Sequence, residues 1–281
     1  MRPGCRNCDA KPVEKINGQE KEKMKYLVLI QARCGSSRLP NKVLKDICGK
    51  PDLQWVIERV GRSRRIDEVM VITSIERNNL PLIRLCTELG IRVFVGSEED
   101  VLDRYYQAAK LIKPEYIVRI TADCPLFDWR YLDMAVDEME NDTDYMAELT
   151  ESFPDGLDLE IMKFEALRQA WEEAGLKSER EHVTLYIRNH PELFKLQNLE
   201  CPVSGIGEKR WTLDEDEDYT LIHSIYDHFV KKGKEDFVTE DILDFLKQNP
   251  DIESVNKKFF RNEGLAKSLA NDELIESENA R

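Results

Sequence analysis

The chain has 281 residues, 41% hydrophobic and 34% charged, with a formal net charge of −14. That length suits one large α/β domain or two small ones, and the acid excess argues against general nucleic-acid binding, which needs a basic footprint. The longest apolar run, Leu27 to Ile30, is far too short to cross a bilayer; no apolar signal core accompanies the basic N-terminus; and seven scattered cysteines fit a reduced, cytoplasmic protein.

Residues 1–24 are charged and nearly devoid of apolar side chains, so a disordered N-terminal tail is expected there. Cys5-x-x-Cys8 lies in it. A zinc site would need two more ligands, and no second such pair exists, which favours two plain tail thiols. The globular pattern begins at Tyr26. One domain is expected over 25–248, with 249–281 a C-terminal extension, partly helical or frayed.

Tyr26 to Ile30 reads as a buried strand. It runs into Gln31-Ala-Arg-Cys-Gly-Ser-Ser-Arg-Leu-Pro-Asn-Lys-Val-Leu44. Between Gln31 and Lys50 stand Arg33, Arg38, Lys42, Lys45 and Lys50 against the single acid Asp46, a local excess of four positive charges in an acidic chain. Such a patch suits a specific small anion. In an open parallel sheet, ligands collect beyond the carboxyl ends of strands. Gly35, Ser36 and Ser37 let backbone amides approach an anion; Arg33 and Arg38 offer forked donors and Lys42 a point charge, the mixture a triphosphate needs. The alternative is a solvated basic loop. The segment is neither a Walker loop nor a G-x-G-x-x-G turn.

A helix is predicted over 53–62, a strand over 69–73, a helix over 80–89 stopped by Gly90, a strand over 91–95 and a helix over 100–111. On that last helix, Arg104 is either a ligand or a surface residue paired with Asp100 or Asp103; Tyr105 and Tyr106 read as core. The strand predicted over 116–120 carries Arg119, which an apolar strand rarely tolerates without a partner. Asp123 ends this strand, where a carboxylate either reaches a Mg²⁺ ion on a triphosphate or bonds turn amides. A helix over 129–140 follows. The alternation implies a single Rossmann-like α/β domain, with a mostly parallel mixed sheet covered by helices on both faces. Beyond 144 the rhythm loosens, with strands predicted over 157–161, 194–199 and 209–213 and helices over 163–173, 181–189, 217–230 and 240–248. Asp155, Asp158 and Glu160 follow a Pro-Asp-Gly turn, either as acceptor ligands or as a solvated turn. Asp214-x-x-Glu217 also matches a helix capping box. Cys34, Cys48, Cys86 and Cys124 lack a neighbouring His and read as filler.

Ala32-Arg-x-Gly-Ser-x-Arg-x-Pro-x-Lys42-x-Leu44 resembles the N-terminal signature of the cytidylyltransferases that activate acidic sugars, the acylneuraminate and Kdo enzymes among them, and most of all their spore-coat-polysaccharide branch. Gly96–Arg104, Val118–Pro125, Pro154–Glu160, Arg180–Thr184 and Arg210–Asp218 extend the likeness over residues 26–229. Asn41, Asp52 and Ala122 depart from the usual Gly, apolar residue and Gly. The resemblance implies the nucleotide-diphospho-sugar-transferase-like fold and a CTP-dependent nucleotidyl transfer to a sugar acid, releasing pyrophosphate for surface polysaccharide or glycan synthesis. It implies Mg²⁺ on Asp123 and Asp214; nucleotide contacts from Ala32, Arg33, Gly35, Ser36, Ser37, Arg38, Lys42, Asp103, Arg104 and Arg119; and acceptor contacts from Asp155, Asp158, Glu160, Glu181 and His182. Arg33, Lys42 and Asp123 are the expected catalytic groups. A homodimer through the 150–200 region is an expectation of the class. A metal-dependent glycosyltransferase, or a cytidylyltransferase acting on a non-sugar phosphate, remains an alternative.

Overall fold

In the computed structural model, which describes residues 25–261, 263–270 and 272–274, the first apolar run becomes strand β1 (Tyr26–Gln31), buried on both faces. A 3-10 turn at Lys42–Leu44 and a small hairpin, β2 (Asp46–Ile47) and β3 (Lys50–Pro51), lead into α1 (Asp52–Val60). Then β4 (Glu68–Ser74), α2 (Leu80–Glu88), β5 (Arg92–Gly96), α3 (Val101–Ile112), β6 (Tyr116–Thr121) and α4 (Trp129–Glu138) alternate as the periodicity predicts. The remainder comprises β7 (Tyr145–Ala147), β8 (Glu160–Lys163), α5 (Phe164–Glu173), α6 (Lys177–Glu181), α7 (Leu185–Asn189), β9 (Leu196–Asn198), α8 (Asp216–Val230), α9 (Thr239–Gln248), α10 (Pro250–Glu253) and α11 (Glu263–Ala270).

The main sheet has the order β5-β4-β1-β6-β8-β7-β9. Pairing is parallel throughout except around β8, which runs against both β6 and β7. Side chains alternate across each strand. Val28, Ile30, Val118 and Ile120 therefore pack under α1, α4, α8 and α9, while Leu27, Leu29 and Ile117 pack under α3, α5 and α7. No described helix is long and apolar enough to cross a membrane. Residues 1–24, with Cys5 and Cys8, lie outside the described residues.

Three local readings need correction. Residues 209–213 form no strand of a sheet; they run as irregular chain with one bridge, Asp155 to Arg210. The single helix expected over 181–189 is two helices, because Val183 takes a left-handed φ of 55° and breaks the i→i−4 ladder. The strand β7 was not read from the sequence: three residues are too short to show a period.

Candidate active site

β1 and β6 are neighbours, with Gln31 opposite Thr121, so the loops that leave them flank one opening at the carboxyl edge of the sheet. The loop after β1 is fixed at its base. Cys34 N donates to the side chain of buried Asn79 at 2.8 Å, and the Asn79 amide donates to Ser74 Oγ at 2.6 Å. Leu39 N donates to Ser36 Oγ at 3.3 Å, and Asn41 closes the turn on Cys34 O at 3.3 Å. Asn41 sits at a φ of 57°, a region that asparagine tolerates better than most residues, which explains how it stands where a glycine is usual. The turn hands directly to the 3-10 helix, whose first residue, Lys42, points inward with its side chain only 12% exposed.

The second wall comes from residues 209–214, threaded between two earlier segments. Trp211 N donates to Asp155 O at 2.7 Å, Asp155 N to Lys209 O at 3.0 Å, and Leu213 N to Asp123 O at 2.8 Å. Gly156 makes this possible: its φ is +104°, and a Cβ there would lie 2.7 Å from Thr212 N. The capping box of α8 is not the one the sequence suggests. Glu215 is the N-cap, and the Asp218 carboxylate accepts from the amides of Glu215 at 3.0 Å and Asp214 at 3.1 Å. The Asp214 side chain is thereby free to face the opening beside Asp123.

The charges converge there. Lys42 Nζ lies 2.6 Å from Asp123 Oδ2 and 2.6 Å from Asp214 Oδ1. Arg38 reaches Asp214 at 2.7 Å and Glu215 at 3.2 Å. Burial opposes the charge on Lys42, but the two carboxylates outweigh it and hold the ammonium above its ordinary value. Burial likewise works against the Asp123 carboxylate, yet Lys42 brings its pKa down to about 2. The resulting cleft of about 370 Å³ is lined by Arg33, Gly35, Ser36, Ser37, Arg38, Lys42, Asp123 and Asp214. A charged cluster kept ionised at a strand end, with small loop residues around it, can neutralise a polyanion and hold it still.

Gln31 and Arg33 also line a second cavity of about 630 Å³ on the α3 side of the sheet, closed by Arg104, Arg119, Arg180, Glu181 and His182. Several polar atoms around it are buried without a protein partner: Gln31 Oε1, Arg104 Nη1, Arg119 Nε and His182 Nε2. Burial holds the His182 imidazole below its ordinary value, so it is neutral near pH 7 and able to donate or accept.

The sequence profile of the cytidylyltransferase family matches residues 27–257. The chain belongs to the cytidylyltransferase family. A spore coat polysaccharide biosynthesis protein, SpsF, of Bacillus subtilis is 36% identical over 233 residues, covering 80% of this chain and 95% of its own length. An uncharacterized protein of Methanocaldococcus jannaschii is 40% identical over 241 residues, 83% of this chain and 95% of its own. Among solved structures, a cytidylyltransferase of Leptospira borgpetersenii superposes with a TM-score of 0.78 at 31% identity, covering 85% of this chain and all of its own.

In this cytidylyltransferase the residues singled out from the sequence divide into groups. Ala32 is buried under the loop, and Arg33, Gly35, Ser36, Ser37, Arg38, Lys42, Asp123 and Asp214 share the smaller cleft. Arg33 also pairs with Glu98 at 2.7 Å. Arg104, Arg119, Glu181 and His182 meet around the larger cavity. Arg119 has the partner its strand position demands, Glu160 at 3.2 Å, and Thr184 Oγ1 donates to the same carboxylate at 3.2 Å. Arg104 is not a surface residue: it is fully buried and holds the carbonyls of Ser97 and Glu98 at 2.8 and 3.1 Å. Asp103 is turned from both openings, its carboxylate accepting from Trp171 Nε1 at 2.8 Å. Asp155 and Asp158 stand apart from Glu160, Glu181 and His182, toward Arg210 and Arg261. Sequence reasoning missed Arg210, which joins Asp155 at 2.9 Å to buried Asp218 at 2.9 Å and lies 3.5 Å from Asp214. Its place next to Trp211 gave no periodic signal. It also missed Asn79, whose role as a loop clamp depends on a contact across 45 residues.

Proposed function

We propose that this cytidylyltransferase transfers the cytidine monophosphate of CTP to a sugar acid or a related small acceptor, with release of pyrophosphate, in surface polysaccharide or glycan biosynthesis. The observation that carries the reading is the single cation position at Lys42, 2.6 Å from each of Asp123 and Asp214. Two carboxylates meeting at one point suit Mg²⁺, which takes one or two protein carboxylates and completes its shell with phosphate oxygens and water. When bound, that ion supplies charge neutralisation on the triphosphate.

The chain's own groups do the rest. The amides of Gly35, Ser36 and Ser37, with Arg33, Arg38 and Lys42, bind the β- and γ-phosphates and stabilise the pyrophosphate that leaves. An acceptor hydroxyl oxygen attacks the α-phosphorus; the bond from that phosphorus to the bridging oxygen of the β-phosphate breaks, and the hydroxyl proton passes to solvent. This requires positioning and electrostatics and no covalent protein nucleophile. The acceptor is assigned to the larger cavity, which shares Gln31 and Arg33 with the phosphate cleft and is lined by the cations Arg104, Arg119 and Arg180, suited to a carboxylate; this reading moves Arg104 and Arg119 from the nucleotide, where the family resemblance put them, to the acceptor. The kinship with a spore coat polysaccharide protein favours a glycan precursor. Pyrophosphate release, measured with each of the four ribonucleoside triphosphates against a panel of sugar acids with and without Mg²⁺, tests this. The reading predicts release only with CTP, a sugar acid and the ion together. Release from another triphosphate, or from CTP regardless of the sugar acid, would overturn it.

A further inference from the structure

Helix α6 is five residues long, Lys177–Glu181, with Leu176 at its N-cap. So short a helix does not sustain itself, and a leucine side chain offers no oxygen to the first-turn amides. Two carboxylates serve its start, one from within the helix and one from outside. Glu179 Oε2 reaches back to the amides of Gly175 at 3.0 Å and Leu176 at 3.1 Å. The other is supplied by the far end of the chain: Asp272 Oδ1 accepts from Ser178 N at 3.1 Å and Asp272 Oδ2 from Ser178 Oγ at 2.6 Å. Around this contact Lys177 N donates to Glu273 O at 3.0 Å, Leu176 bridges Leu274, and Ser268 Oγ on α11 donates to Glu181 Oε2 at 2.9 Å. The match to the family profile ends at residue 257, before these contacts begin.

What α6 carries gives these contacts a consequence. Arg180 and Glu181 on the helix, and His182 just after it, form one wall of the 630 Å³ cavity. Arg180 is anchored to Asp100 at 2.9 Å and to Trp171 O at 2.7 Å, whereas His182 Nε2 is buried with no protein partner. The neighbouring phosphate cleft is built from β1, β6 and the 209–214 segment.

We propose that α11 and residues 272–274 are a strap and that Asp272 is a positioning residue for the acceptor: by capping α6 from outside, it fixes Arg180, Glu181 and His182 in the cavity wall. The proposal rests on the reading of that cavity as the acceptor site. Without the cap the short helix frays and the wall loosens, while the nucleotide cleft keeps its shape.

The test uses the full chain with Asp272→Ala, with Asp272→Asn as the conservative variant that retains a carbonyl acceptor, and with His182→Ala as a probe of the cavity. Amide hydrogen exchange over 177–182 is measured in the free enzyme, and KM is measured for CTP and for the sugar acid turned over fastest in the pyrophosphate assay. Asp272→Ala is expected to speed exchange at α6 and raise the sugar-acid KM roughly threefold to tenfold, the span that loss of a helix cap covers. KM for CTP should stay within about twofold, and Asp272→Asn should recover most of the loss. Unchanged exchange in Asp272→Ala would overturn the strap itself. Faster exchange with an unchanged sugar-acid KM would overturn its link to the acceptor; a silent His182→Ala in the same assay would then trace the failure to the reading of the cavity.

Discussion

Asp123 and Asp214 lie 91 positions apart in the chain and share one lysine. Each alone has a competing structural use, a turn in one case and a helix cap in the other. The cap moves to Glu215 and Asp218, which leaves Asp214 free for the cleft. Asp214→Asn is expected to lower kcat/KM by about 10²- to 10³-fold, as loss of a preorganised electrostatic contact does; steady-state kinetics at saturating Mg²⁺ measure it. An activity within threefold of the parent enzyme would show that Asp214 serves only the fold. Asp52 is a different case. It opens α1 fully buried, with both carboxylate oxygens lacking a protein partner. Burial, then the charge of Asp123, hold its carboxyl well above the ordinary range. A folded value raised in this way favours the fold below the unfolded pKa of about 3.9, and that contribution is lost as pH climbs toward the folded value. At neutral pH the group therefore costs stability. Asp52→Leu is predicted to stabilise the protein by about 1–3 kcal/mol at pH 7.5, with the gain shrinking toward pH 4. Urea unfolding at the two pH values checks it, and destabilisation at pH 7.5 would contradict it.

The elements that make the site are not those that make the sheet. Strands β1, β4, β5 and β6 and the helices between them were legible from the sequence, because a buried parallel strand is a continuous apolar run and its crossover helix is amphipathic. The cationic loop was legible too, since its charge reverses that of the chain around it. The segment 209–214 was read as a strand and is not one. Its bonds go to Asp155 and Asp123, contacts made across 54, 56 and 90 residues, which no local periodicity records. Two substitutions test this thread. Gly156→Ala places a Cβ 2.7 Å from Thr212 N at a φ of +104°, so a loss of about 2 kcal/mol or more is expected, together with a marked loss of activity; thermal unfolding and the pyrophosphate assay report on each. Arg210→Met leaves Asp218, fully buried, without its guanidinium, although Asn256 still donates to it at 2.8 Å. Removing one member of a buried pair costs about 3–5 kcal/mol, and chemical unfolding of the variant should show a loss on that scale. A neutral result at either position would mean that the 209–214 segment does not depend on these anchors.

At the scale of the whole molecule, an acidic protein concentrates positive charge at one edge of its sheet. The edge opens into two joined spaces, a smaller cleft between the loops after β1 and β6, which we read as the phosphate site, and a larger cavity under α3 and α6, with Gln31 and Arg33 common to both. A nucleotidyl transfer needs such an arrangement, because the attacking oxygen and the departing pyrophosphate must lie on opposite sides of one phosphorus. The two-sided design was only half visible in the sequence. The cations of the smaller cleft come from one contiguous loop, whereas the larger cavity is assembled from β1, β6, α3 and α6, segments far apart in the chain. The most direct test is diffraction from crystals grown with CTP and Mn²⁺, using the anomalous signal of the metal to locate it. The account predicts one metal peak bound directly by both Asp123 and Asp214, with Lys42 turned to the β- and γ-phosphates. A metal bound by neither carboxylate, or a triphosphate lying outside the Gly35–Arg38 loop, would contradict it.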